Sequence, residues 1–219
     1  MDQEGKKQHT ECIRCGTCCM KGGPALHGDD IKHVDSGSIP LSALYTIRKG
    51  ELVSDNVTAN GGLICMPSEI VKIKSPADTS SCIYFNEAEK SCEIYDTRPI
   101  ECRAMECWNT AKIENIYSKD RLTRNDILKN VSWLRELVET HEIQCSLDKI
   151  KAMVNARESG DHSAASKLSE ALNYDSQLRN LAVEKGRLPF EMLDFLFGRP
   201  LVLIVRQQFG IKVNRKKSG

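Results

Sequence analysis

Cys12, Cys15, Cys18 and Cys19 are the densest group of chemically able side chains in the sequence, set as Cys12-Ile13-Arg14-Cys15-Gly16-Thr17-Cys18-Cys19. Two residues between cysteines let a tight turn present both sulfurs to one metal ion. Gly16 supplies the positive-φ geometry that such a turn uses. The C-x2-C-x2-C part also matches the opening of a bacterial ferredoxin run, although Cys19 follows directly where that run places its fourth, Pro-associated cysteine. Adjacent side chains diverge, so Cys18 and Cys19 can serve different metal atoms, or one can ligate while the other packs or reacts.

A second set comprises Cys82, Cys92 and Cys102, each separated by nine intervening residues, with Cys107 five positions further on. Metal binding deprotonates cysteine, and seven or eight thiolates in one region would repel without cations. Two zinc ions, or an iron–sulfur cluster with another metal, would compensate. Arg14, Lys21, Arg98 and Arg103 stand beside cysteines and can donate hydrogen bonds to sulfur, which tunes affinity and redox potential. None of the five histidines falls inside either set. His27 and His33 are nearest, lack ligand spacing to a cysteine, and are expected on the surface or on a helix face. All-thiolate ligation suits iron and zinc alike. The spacing tilts the reading toward an iron–sulfur cluster, with zinc the alternative.

These sulfurs must be carried by a chain of 219 residues with 40% hydrophobic and 28% charged residues, an ordinary globular composition. Lys and Arg number 31 against 30 Asp and Glu, so no bulk basic field exists to hold nucleic acid. Aromatics at 5% leave few stacking platforms for single strands. The longest aliphatic run, Leu201 to Val205, is far short of the ~20 residues of a membrane span. The polar start Met1-Asp2-Gln3-Glu4-Gly5-Lys6-Lys7 has no apolar core of a secretory signal, so a cytoplasmic protein with reduced thiols is expected. A disulfide scaffold is the other reading of ten cysteines. The missing export signal, the chain length and the cysteine-poor second half weigh against it.

The elements that position the cysteines read as follows. Short helices are expected over residues 27–36 and 40–49, the second ending at Gly50. Residues 51–75 are irregular, with a turn at Asn60-Gly61-Gly62 and a strand over 70–74 bounded by Pro76. Residues 82–85 and 92–95 form a hairpin joined by 86–91, which brings Cys82 near Cys92. The Arg98-Pro99 turn opens a helix from Ile100 toward Cys107 and returns Cys102 to the same place.

Beyond about residue 110 the pattern turns helical. Thr123-Arg124-Asn125-Asp126 resembles a capping box. It opens a run with Ile127, Val131, Leu134 and Val138 on one face. Further helices are expected over 147–157, 163–185, between Pro189 and Gly198, and between Pro200 and Gly210. Cys145 reads as a buried core thiol on a helix. Residues 1–11 read as a polar lead, and the basic end 212–219 as a solvated tail. The expected class is α+β: an irregular, cysteine-rich, metal-binding N-terminal half with a small β-hairpin (residues 1–110), and a helical C-terminal half (111–219) packed against it. That helical half is scaffold or a surface for a protein partner.

The ordered pattern Cys12-x2-Cys15-x2-Cys18-Cys19, then Cys82, then Cys92-Glu93-Ile94-Tyr95-Asp96-Thr97-Arg98-Pro99-Ile100-Glu101-Cys102-Arg103, resembles the YkgJ-type cysteine-cluster family, also called the CxxCxxCC zinc- or iron-chelating domain. The resemblance covers about residues 12–107. It implies metal-site roles for Cys12, Cys15, Cys18, Cys19, Cys82, Cys92 and Cys102, with Tyr95, Arg98, Pro99 and Arg103 in support; Arg14 joins them through its place beside the cysteines. Cys65 and Cys107 fall outside its pattern. The structural reading favours packing for Tyr95, leaves Arg103 evenly between packing and a role beside a thiolate, and lets Arg98-Pro99 simply turn the chain. A distant likeness to the cysteine domain of flagellin lysine N-methylases adds a protein-modifying enzyme to the alternatives.

Three functions follow as expectations: an iron–sulfur protein of redox or redox-assisted catalytic type, a zinc-stapled binding module, or a lysine methylase-like enzyme. No phosphate loop, dinucleotide fingerprint, nucleophile elbow or HExxH pair is present, and Glu101 and Glu106 do not face one another on a helix. No catalytic residue is assigned.

Overall fold

The computed structural model describes residues 12–54, 62–76 and 78–211. The chain forms two compact units, each discontinuous in sequence. One takes the residues up to Pro40 together with Lys72–Leu122; the other takes Leu41–Val71 and the chain from Thr123 onward. The polypeptide passes between them within one strand, β4 (Ile70–Ile73).

The first unit is built from short pieces. A single 3-10 turn, Gly28–Asp30, leads into helix α1 (Ile31–Asp35). The extended segment Ala25–His27 lies between two antiparallel bridges, Ala25 with Lys72 and His27 with Arg121. Strands β5 (Phe85–Asn86) and β6 (Ser91–Cys92) pair antiparallel, with Phe85 opposite Cys92. Helix α2 (Ile100–Ala104) starts directly after Pro99, and α3 (Ala111–Ile116) follows. Ala25, Leu26, Ile39, Ile73, Ile113 and Leu122 are its buried apolar residues, a small core.

The buried carboxylate of Asp30 organises this unit. Its Oδ2 accepts from the His27 amide at 3.0 Å and its Oδ1 from the Ile100 amide at 2.9 Å. A carboxylate on the first free amide of a helix satisfies a donor that has no partner within the helix. It fixes where α2, and so Cys102, begins.

The second unit is mostly helical. Strand β1 (Leu44–Ile47) and the hairpin β2 (Leu52–Ser54) with β3 (Leu63–Cys65) precede α4 (Arg124–Ile127), α5 (Ser132–Cys145), α6 (Leu147–Glu158) and α7 (His162–Glu184). The last two helices are α8 (Leu193–Phe197) and α9 (Leu201–Phe209). Their apolar stripes meet in a cluster of Cys145, Ile150, Val154, Leu168, Leu201, Ile204 and Val205. Cys145 is the buried core thiol expected, its Sγ directed at the Ala171 carbonyl.

Buried charges bind the same unit together. Arg48, 1% exposed, grips Glu142 through Nε and Nη2 at 2.7 and 2.8 Å. Arg124, 2% exposed, bonds Glu69, Glu142 and the Leu196 carbonyl. Burial alone would raise the Glu142 pKa, but the two guanidiniums outweigh it and hold the carboxyl at about 2.

The α+β class is as expected, and so are α6, α7, α9 and the hairpin around residues 82–95. Two readings are corrected. Residues 40–49 form no helix beyond a single 3-10 turn at Leu41–Ala43; Leu44–Ile47 is strand, because Leu44-Tyr45-Thr46-Ile47 is β-prone and the Thr46 hydroxyl donates to the Phe195 carbonyl at 2.6 Å. The face Ile127–Val138 is not one helix: the Thr123 capping box forms, but α4 ends at Ile127 and α5 starts afresh at Ser132. Residues 51–75 hold β2, β3 and β4 where an irregular segment with one strand was expected. The polar lead, Asn60-Gly61 and the basic tail lie outside the described residues.

Candidate metal centre

The leading cysteine loop is a series of turns held by backbone hydrogen bonds. The Met20 amide donates to the Gly16 carbonyl at 2.9 Å and the Lys21 amide to Cys18 at 3.1 Å. Gly16 is buried with φ +78°, and a Cβ there would lie 2.3 Å from the Phe85 ring. The loop therefore packs on the hairpin edge-on through a residue that has no side chain. The Cys82 amide donates to the Cys19 carbonyl at 2.8 Å, which ties the two cysteine segments directly.

Five sulfurs are gathered by this packing. The neighbouring Cys19 lowers the Cys18 pKa to about 6, and Cys18 in turn raises that of Cys19. Cys19 also feels the charge of Cys92 and Cys102. Burial, then the neighbouring Cys82, Cys18 and Cys92, push the Cys102 thiol up. Burial raises Cys82 as well, with Cys92 adding to it. Cys102 thus lies within electrostatic reach of Cys18, Cys19, Cys82 and Cys92. Cys15 is held by Thr17, its Sγ donating to Oγ1 at 3.3 Å, and it feels Cys18. Cys12 is exposed and has no hydrogen bond to the others.

Cys65 is exposed on β3 in the other unit. Cys107 is exposed in the turn closed by the Glu106–Asn109 bridge.

The supporting residues surround one aromatic ring. The guanidiniums of Arg14 and Arg98 stack on Tyr95 at 4.1 and 3.8 Å from its centroid. Arg103 Nη1 donates to the Arg98 carbonyl at 3.1 Å. Arg98 has Nε and Nη1 buried without a hydrogen-bond partner, and its charge helps to lower Cys18. Tyr95 therefore packs, and what it packs are two cations beside the sulfurs.

Among the described residues, no three His, Cys, Asp or Glu side chains stand in a ready-made coordination geometry. The chemistry of the donor set nonetheless fits a thiophilic ion. Cys102 interacts electrostatically with Cys18, Cys19, Cys82 and Cys92, and the charge of Arg98 acts on Cys18.

His27 corrects the expectation of a surface position: it is 3% exposed. Its Nδ1 lies 2.7 Å from the Lys119 carbonyl and must donate to it; its Nε2 lies 3.0 Å from Glu101 Oε1. With Nδ1 protonated, the second contact needs one further proton, and the raised pKa of the ring favours the imidazolium–carboxylate form of the pair. Burial works against the charged ring, but Glu101 and the Lys119 carbonyl outweigh it and the His27 pKa is raised. Glu101 Oε2 also accepts from the Ala25 amide at 2.7 Å. His33 is likewise buried, at 9% exposure. The Glu101 role escaped sequence reasoning. Its only local signal is a carboxylate immediately before Cys102.

The model of one protein family matches residues 11–121, just over half of the chain; its description is "CxxCxxCC: Putative zinc- or iron-chelating domain". The chain belongs to the CxxCxxCC family. The matched stretch takes in every cysteine of the gathered set and the Arg98–Arg103 segment. The family description supports metal binding by the domain that this chain carries. Comparisons with curated proteins and with solved structures return no match. Among the described residues no helix is long and apolar enough to cross a membrane.

Proposed function

We propose that this protein holds an iron–sulfur cluster on its clustered cysteines and uses it in a redox or redox-assisted reaction. The ligands are drawn from Cys12, Cys15, Cys18, Cys19, Cys82, Cys92 and Cys102. The observation that carries the reading is the 2.8 Å bond from the Cys82 amide to the Cys19 carbonyl, which brings the C-x2-C-x2-C loop to the segment of the second cysteine set. The exposure of Cys12, Cys15 and Cys18 leaves one side of the site open to a reactant. Bound there, the cluster would supply one-electron chemistry. The chain's own contribution is to orient sulfur and to set the charge of Arg98, whose Nε and Nη1 have no other partner, near Cys18, with Arg14 stacked on Tyr95 and Arg103 on the Arg98 carbonyl. All ten cysteines stand as free thiols, the form a metal requires and a reducing cytoplasm maintains.

One observation favours zinc as the second reading. The apolar core of the first unit is small, so a structural ion would add folding free energy where burial supplies little. Metal analysis with a UV–visible spectrum on anaerobically purified protein separates the two. Brown protein with iron, acid-labile sulfide and a charge-transfer band supports the cluster. Colourless protein with stoichiometric zinc replaces it with the zinc reading.

A further inference from the structure

Arg121 presents an unused receptor for an oxyanion. Its Nε and Nη2 are both buried and without a hydrogen-bond partner. These two nitrogens form one edge of the guanidinium, and the same edge elsewhere in this chain is a carboxylate clamp: Arg48 uses Nε and Nη2 to take both oxygens of Glu142 at 2.7 and 2.8 Å. The Arg121 fork is also held still. Its guanidinium stacks on Tyr117 at 4.2 Å, and its backbone is pinned by the bridge to His27 and by the Leu122 amide on the Leu26 carbonyl at 2.8 Å.

A second cation stands on the same face. Ala25 and His27 are two residues apart on an extended segment, so their side chains point the same way; each bridge partner points with them. Lys72 pairs with Ala25 and Arg121 with His27, which places Lys72, His27 and Arg121 together. The Lys72 amine makes no hydrogen bond among the described residues and feels Glu101, Arg121 and Cys102. Glu101 accepts from the Ala25 amide and lies against the His27 ring, and the Arg121 Nε and Nη2 make no hydrogen bond to it. Three basic groups thus stand with two carboxylates, Glu101 and Asp30, and each of these already accepts from backbone amides.

We infer that Arg121 and Lys72 form a binding site for an oxyanion, a carboxylate or phosphoryl group of a small ligand, beside Cys102. The fork takes two oxygens and the ammonium a third contact. Nothing in the site requires a metal, so its failure and the failure of the metal reading are separable.

The test is titration of the full chain, at constant ionic strength in chloride, with inorganic phosphate and separately with acetate. The Arg121 Nε–H resonance is followed by NMR. Saturable movement of that signal with either anion is expected: acetate alone marks a carboxylate ligand, phosphate alone a phosphoryl group. Arg121→Gln and Lys72→Met should each weaken binding about tenfold or more, as the loss of a charged hydrogen bond implies. Arg121→Lys keeps the charge and loses the fork, and should weaken it comparably. A resonance unmoved by both anions overturns the inference, as does an Arg121→Lys chain that folds and binds as tightly as its parent.

Discussion

The Cys82 amide donates to the Cys19 carbonyl at 2.8 Å, across sixty-three positions of sequence. That single bond joins the leading cysteine loop to the hairpin carrying the second set. It puts the chain reversal at Cys19 beside the entry to the hairpin, and Gly16 on Phe85 completes the docking.

Gly16→Ala should therefore undock the loop. The new methyl meets the Phe85 ring at 2.3 Å and the φ of +78° disfavours any residue with a Cβ. Metal content of the purified chain should fall severalfold, measured by elemental analysis. Far-UV circular dichroism should change little, because most of the helix lies in the other unit. Unchanged metal content in a folded variant would show that the docking is dispensable.

Arg98→Gln removes two buried, unpartnered N–H groups and the charge that acts on Cys18. Outer donors of this kind are worth roughly 10- to 100-fold in metal affinity. A chelator competition should show a loss in that range, and an iron-loaded chain should also shift in reduction potential. Arg98→Lys restores the charge without the fork and should recover only part of the loss.

Glu142→Gln strips two buried arginines of a shared carboxylate. Breaking one partner of such a network costs about 3 kcal/mol, readable as a lower denaturant midpoint for the second unit. The pH dependence has a defined sign. The folded pKa of Glu142, about 2, lies below the ordinary carboxylate value of 4.5. Its stabilisation is complete above about pH 4.5 and is lost as pH falls toward 2. The variant should show a flatter acid limb in a stability-against-pH series.

The His27–Glu101 pair acts in the opposite direction. The His27 pKa is raised above 6.5 in the folded chain. Its contribution is therefore full below 6.5 and fades as pH rises through the folded value. NMR titration of the His27 ring should give a midpoint above 6.5 in the parent chain and a lower one in Glu101→Gln. A midpoint at or below 6.5 in the parent would break the imidazolium–carboxylate assignment.

The cysteine loop was legible because ligand spacing is local: Gly16, the turns around it and the hairpin after Cys82 are each specified by neighbours in sequence. Thr123 and Asp126 announced a helix start for the same reason. What stayed hidden depends on distant partners. Leu44–Ile47 carries a helix-compatible pattern, and its strand conformation is fixed in part by a hydroxyl bond to Phe195, far along the chain. His27 has no local mark of burial; its place is set by Glu101 and Lys119, more than seventy positions away. Arg121 has no local motif around it, and its place is set by the bridge to His27, more than ninety positions away.

Metal-edge X-ray absorption on anaerobically purified protein tests the central claim most directly, that thiolates of the leading loop and of the Cys82–Cys102 segment share one centre. A first shell of sulfur alone is predicted, with an iron–iron distance in its outer shell, and Cys18→Ser and Cys92→Ser should each introduce a light-atom contribution to that shell. A first shell of nitrogen and oxygen, or a shell unaltered when either cysteine is replaced, would contradict it.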